Sequence, residues 1–420
     1  MKKKDNINIK LFLVPIGLYI SLIIGFFNGE NLNFGTKPDW YGTNLSTIKA
    51  FAENFYETFL TYDNFNHRHS PVYVIFLSLF VKLGVSFEFI RFFHLNLCIL
   101  LIFFFYKCLK LKFKSIDKNI LILLSTVIFL SPTFRSIAIW PESRTIGLIF
   151  FTISIYEYLK FCEKKYYSHY FKNIIFLIIS SYISPNFSVF IVFFYYYYLK
   201  HLNIRLIIYG LIVCAISSIP AIYYLFVLDV NFLLAKTPGE NTGELVSLSF
   251  NFADKLMIIS TIIIFHLFPF LFYKNFFNDF IKIGKKYLIT ILSIFLICVF
   301  FFNYKIDFTG GGFFFQISNY LFKNNFSFYL IVFLSLITLG LFAKENKSNI
   351  LIFVLLVISN VQNTIYHKYY DPLIIIIFFT ILNHNLPKNF LSKKFNLIKL
   401  YVFYLLYILM RLIKNTFFLI

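Results

Sequence analysis

Charge is what this sequence has least of. Charged residues make up 14% of it, and only 19 are acidic against 39 basic. A water-soluble domain carries about a quarter charged residues, so that class is excluded. Cysteine is sparse too: Cys98, Cys108, Cys162, Cys214 and Cys298 lie in or beside apolar segments with no paired spacing. Neither a disulfide framework nor a zinc site is expected from them. There is no Walker A loop, dinucleotide fingerprint or zinc-protease helix. No string of ionisable residues runs through the apolar segments, which counts against an ion-coupled transporter. A cleaved leader is not expected, because the run from Leu11 to Phe27 follows Met1-Lys2-Lys3-Lys4 but ends at no small-residue cleavage site. It reads as a retained first span.

What is present is apolar. Hydrophobic residues are 59% of the chain and aromatic residues 22%. A helix needs about 20 apolar residues to cross a bilayer, and lipid leaves the backbone no choice but helix or closed barrel. Runs this continuous are helices. The expected fold is an all-α integral membrane protein of about 11–13 transmembrane helices, a single polytopic domain over 1–420. Spans are expected near 11–28, 89–106, 120–138 and 145–160. A hairpin over 173–199, broken at Ser184-Pro185-Asn186, comes next. Later spans lie near 205–227, 253–273, 287–302, 327–343, 349–365, 372–384 and 397–415.

The net charge of +20 is carried by lysines in short loops between spans. This is the positive-inside pattern, so the charge reports topology and no nucleic-acid partner is expected. It puts the N-terminus in the cytoplasm and the loop 29–88 outside. The apolar segment 71–85 must then not cross, or the lysines of 107–118 would fall on the wrong face. It is expected to lie along the outer interface, as is the amphipathic segment Leu45 to Leu60.

Acidic residues concentrate on the outer side. Asp39, in Lys37-Pro38-Asp39-Trp40-Tyr41, stands shortly after the first span. A carboxylate there is a candidate general base toward an acceptor hydroxyl or amine; Trp40 and Tyr41 alone would read as interface anchors. Glu142, in Trp140-Pro141-Glu142-Ser143-Arg144, opens a span. It either complements the helix N-terminus or helps the site, by binding substrate or orienting Asp39. His67-Arg68-His69 is too short a pattern for a metal site without a third ligand; no metal is assigned, and no divalent ion is indicated. Arg68, Arg91, Arg135 and Arg144 are cations on the disfavoured side. They either hold phosphate or snorkel at span ends. Gly310-Gly311-Gly312 permits a close backbone approach to a ligand or serves as a hinge. Lys368 is a candidate for an anionic headgroup, with Tyr369 and Tyr370 beside it.

On these residues the chain resembles the GT-C type glycosyltransferases, polytopic enzymes that use polyprenyl-phosphate-linked sugars at the outer membrane face. The superfamily includes protein mannosyltransferases and the lipid A aminoarabinose transferase. Asp39 matches the early acidic position, and His69-Ser70-Pro71-Val72-Tyr73 matches the start of the interfacial helix. Gly84-Val85-Ser86 with Arg91, Ser131-Pro132 with Glu142, and Ser184-Pro185 resemble the elements that follow. Lys368-Tyr369 with Pro372 resembles a late Arg-Tyr-x-x-Pro element. The likeness covers about 1–200 closely and the rest in outline. It departs at Ser70, where proline is usual, and at Lys368, where arginine is usual. No second acid accompanies Asp39, and no large C-terminal soluble domain follows.

The resemblance implies a periplasmic loop at 29–88, a catalytic core at 89–200 and variable C-terminal spans over 201–420. It also implies an inverting hexosyl- or pentosyltransferase of the bacterial inner membrane, at work in building a cell envelope component such as lipopolysaccharide. A polyprenyl-phosphate sugar would be the donor and a lipid-linked glycan the acceptor. Asp39 would be base and Glu142 its helper, with Arg68, His69, Tyr73, Arg91, Arg135, Arg144, Lys368 and Tyr369 lining the substrate site. The alternatives are a lipid-linked oligosaccharide flippase, which would need a polar central cavity and often internal repeats, and an O-antigen polymerase or ligase.

Overall fold

A computed structural model of the chain describes residues 9–33, 35–65, 69–230, 232, 251–271, 284–305, 310–393 and 395–417. The described residues are all-helical. Six of their helices are long and apolar enough to cross a membrane: Phe87–Lys112, Ser143–Lys164, Ile204–Val227, Phe252–Leu271, Phe326–Glu345 and Phe395–Thr416. Helix Ile204–Ile222 buries only Ile207 and Gly210, leaving its other apolar side chains wholly or partly uncovered. Lipid, not water, suits a surface of that kind.

The chain divides into two compact units. One comprises Met1–Phe187, Ile204–Ala235 and Leu391–Ile420; the other comprises Ser188–Asn203 and Lys236–Phe390.

In the first unit, helix Phe87–Lys112 packs on Ser143–Lys164, which packs on Tyr167–Ile183. Gly147 sets the closeness of the second pair: a Cβ there would stand 2.7 Å from that of Ser184. The span expected over 120–138 is instead two helices, Lys118–Leu130 and Pro132–Ile139, bent by 68°. The local chemistry explains the break. Pro132 cannot donate to the preceding turn, and Ser131 caps the new helix by accepting from the amide of Phe134 at 2.9 Å. Every residue of Pro132–Ile139, Arg135 included, is buried.

The segment expected at the interface is also two helices, Leu45–Glu53 and Phe55–Leu60, divided at Asn54, whose side chain caps the second. Leu45–Glu53 packs against Pro71–Lys82, and the twelve residues of the latter are too few to cross a bilayer. Ser70 caps this helix through the amide of Val72, with Pro71 at its first position. A serine therefore suits the place where the resembled family has proline.

In the second unit, Phe252–Leu271 and Lys285–Phe301 both pack on Phe326–Glu345. Two segments read as spans are shorter than the sequence suggests: Ser348–Ile358 and Leu373–Phe379. All seven residues of Leu373–Phe379 are buried. Hydropathy cannot separate a helix apolar for lipid from one apolar because protein surrounds it.

The glycine run has a structural use. Gly310, Gly311 and Gly312 all have positive φ, and a Cβ on Gly310 would stand 2.5 Å from the carbonyl oxygen of Ile365. That same oxygen accepts from the amide of Gly311 at 2.9 Å. Backbone thus lies against backbone where a hinge or a ligand cradle was the expectation. Gly310→Ala is expected to cost about 1–3 kcal/mol from the φ alone, with more from displacing Ile365. A lowered midpoint of thermal unfolding in detergent checks it; an unchanged midpoint removes this account of the glycine run.

Candidate functional site

The short segment 135–144 of the first unit gathers most of the residues singled out above. Its course follows from its prolines. Pro141 forces the residue before it out of helical geometry, and Trp140 is extended at φ −113°, ψ 103°. Glu142 is extended as well and precedes helix Ser143–Lys164. Its side chain makes no capping hydrogen bond to that helix. Glu142 is buried, and its Oε1 lies 3.5 Å from His69 Nε2.

Two side chains one turn apart on helix Phe87–Lys112 hold this segment from below. Arg91 Nε donates to the carbonyl of Ile139 at 3.3 Å, and His94 Nε2 lies 2.9 Å from that of Ile137. These are among the last carbonyls of helix Pro132–Ile139, which have no partner within the helix. A cation at this end also complements the helix dipole. The Arg91 guanidinium lies 3.7 Å from the centre of the Trp140 ring, and its Nη1 pairs with Glu88 at 2.9 Å. His94 engages Tyr73 through its Nδ1, so the Tyr73 hydroxyl is the donor when Nε2 donates to Ile137. Tyr73 is buried, and burial pushes its phenol well above the ordinary tyrosine range.

The loop after helix Ile9–Phe27, which is shorter than the six crossing candidates, also packs on this segment. Glu30 takes the buried Arg135 in a two-pronged pair, at 2.6 Å to Nε and 2.7 Å to Nη2. Trp140 Nε1 donates to the carbonyl of Glu30 at 2.8 Å, and Asn44 donates to that of Pro141 at 3.1 Å. Lys37 and Tyr41 flank the Trp140 ring at 5.4 and 5.5 Å. Between them lies Asp39, exposed at the end of helix Thr36–Asp39, with the buried Trp40 beginning a wider turn.

The structure therefore brings together His69 and Glu142 directly, and Asp39 stands in sequence between Lys37 and Tyr41, which lie beside the Trp140 ring. Arg144 is buried at the start of its helix. Arg91 and Arg135, candidates for phosphate or for snorkelling at span ends, pair with carboxylates of this chain. Arg68 lies outside the described residues. Lys368 and Tyr369 belong to the second unit, in the turn His367–Tyr369. Lys368 Nζ is 5.7 Å from the Tyr366 ring, and His367 Nε2 is 2.9 Å from His266 Nε2. Among the described residues no group of three or more His, Cys, Asp or Glu is placed to hold a metal.

Sequence reasoning missed Glu30, Lys37, Asn44 and His94. Glu30 carried a signal: a lone carboxylate just beyond an apolar run, in a chain with arginines at other apolar ends, invites a pairing. No family model matches the chain, and no curated protein or solved structure matches it.

Proposed function

We propose that the protein is a membrane glycosyltransferase of the GT-C type. In this reading it moves a sugar from a polyprenyl-phosphate donor to a lipid-linked glycan or lipopolysaccharide acceptor at the periplasmic face of the bacterial inner membrane. The N-terminus is cytoplasmic, and the shorter apolar helices Leu13–Phe27 and Ser348–Ile358 add to the six or seven that are long enough to cross. One observation carries the reading: the acid-bearing loop after the first span is packed onto the Trp140-Pro141-Glu142 turn, where the buried Glu142 carboxylate lies 3.5 Å from the His69 imidazole.

The chemistry asks little more. A sugar on a lipid phosphate already has an activated anomeric carbon and a stable leaving group. The protein need only position it, engage the acceptor and accept a proton. Asp39, exposed and next to the buried Trp40, is the carboxylate able to engage an incoming acceptor. Arg144 is a candidate for the phosphate, and the lipid tail is read as lying along apolar helix surfaces.

The test uses purified protein in nanodiscs with a mixture of polyprenyl-phosphate hexoses and pentoses and endogenous lipids as acceptors. Wild type is expected to transfer sugar, and Asp39→Asn to lose part of that rate through poorer engagement of the acceptor. Equal transfer by both removes Asp39 from the site. No transfer from any donor, with lipid-linked sugar crossing the bilayer instead, replaces this reading with a flippase.

A further inference from the structure

We propose that the group accepting the acceptor's proton is His69, with Glu142 behind it as its positioning residue; this rests on the transfer reading above. The geometry separates the two carboxylates. Asp39 is exposed. Glu142 is only 4% exposed and is not used to cap its own helix. Its Oε1 instead lies 3.5 Å from the imidazole of His69, whose side chain is 30% exposed. A buried carboxylate 3.5 Å from a part-exposed imidazole can stabilise, through its charge, the imidazolium that forms when the ring takes a proton.

Both partners are held from outside the pair. The carbonyl of His69 accepts from the hydroxyl of Tyr62 at 2.8 Å, and Tyr62 is fully buried. Ser70 and Pro71 then fix the start of the next helix. On the other side, Asn44 holds the carbonyl of Pro141, and Arg91 and His94 hold those of Ile139 and Ile137. The two backbone stretches that carry the pair are thus each held by contacts from elsewhere in the first unit, a support that a positioned base needs.

The step balances. The acceptor's O–H or N–H proton passes to the ring nitrogen of His69 that does not face Glu142. The freed electron pair forms the bond to the anomeric carbon. The bond from that carbon to the phosphate oxygen breaks, and its pair leaves with the polyprenyl phosphate. The new negative charge on phosphate is matched by the imidazolium, which Glu142 stabilises until the proton passes to water.

The experiment measures transfer from the same polyprenyl-phosphate sugar mixture by wild type, His69→Gly, His69→Gln and Glu142→Gln in nanodiscs. His69→Gly is expected to lower kcat by about 10²–10⁴ with the donor KM little changed. Added imidazole is expected to recover part of that rate, and the more basic 4-methylimidazole to recover more. Glu142→Gln is expected to lower kcat about 10–100-fold, again with KM little changed. His69→Gln, which keeps the side chain's bulk, monitors folding through its thermal midpoint. Wild-type kcat in His69→Gly overturns the proposal while leaving the transfer reading intact. So does a rate that neither imidazole recovers when His69→Gln unfolds at the wild-type temperature. No transfer by wild type from any donor overturns the transfer reading and this assignment with it.

Discussion

Replacing Arg135 by methionine is expected to destabilise the protein by about 3–5 kcal/mol, the cost of removing one partner of a buried ion pair. Arg135 is 7% exposed and Glu30 20%. The guanidinium meets both carboxylate oxygens, and its Nη1 and Nη2 also donate to the hydroxyl and carbonyl of Ser21, each at 3.0 Å. Without Arg135 the Glu30 carboxylate would keep its shielded position and lose its counter-charge. Gly25 shows how tightly the pair is enclosed: a Cβ there would stand 2.6 Å from a Glu30 oxygen and 3.1 Å from Arg135 Nη2. The check is the midpoint of thermal unfolding in detergent for Arg135→Met, Glu30→Met and the double variant. Either single change should lower it sharply. The double should recover much of the loss, because two apolar side chains leave no charge stranded. Equal midpoints in wild type and Arg135→Met would mean that the pair contributes little, and would return Arg135 to the list of phosphate ligands.

That pairing also marks where sequence reading stops. Local chemistry accounts for the helix ends: Ser70-Pro71, Ser86, Ser131-Pro132 and Trp140-Pro141 each begin or end a helix through a cap or a missing donor, although Ser131-Pro132 breaks a segment that reads as one span in the sequence. Glu142 was legible as important, with two roles open, and it stands at the start of its helix without a side-chain cap hydrogen bond. Partners distant in sequence were not legible. Nothing in the residues around Arg135 names Glu30, 105 positions earlier. Nothing around Arg91 says that its guanidinium will lie on Trp140, and nothing around Tyr73 names His94. An arginine at the end of an apolar run looks the same whether it waits for a phosphate or is already paired. The helix Leu373–Phe379 raises the same difficulty for fold: seven apolar residues in a row fit lipid and protein interior equally, and only their neighbours decide.

Trp140→Ala is the second large change, and it separates support from chemistry. The ring is 2% exposed. It has the Arg91 guanidinium 3.7 Å from its centre and Lys37 and Tyr41 around it, and its indole nitrogen donates to Glu30. Truncating a buried tryptophan costs about 3–5 kcal/mol through lost burial and the cavity left behind. A further loss comes from leaving the Arg91 cation without its aromatic partner. Trp140→Phe keeps most of the ring contact and forfeits the hydrogen bond to Glu30, so its expected cost is about 1 kcal/mol. Glu142 stands two residues on, in the same extended turn. Loosening Trp140 should therefore also loosen the hold on His69. The ordering expected for both the thermal midpoint and the transfer rate is wild type, then Trp140→Phe, then Trp140→Ala. Suppose instead that Trp140→Ala lowered the midpoint but left transfer at the wild-type rate in protein still folded at the assay temperature. The turn would then be a structural brace only, and the reacting groups would have to be sought away from Glu142.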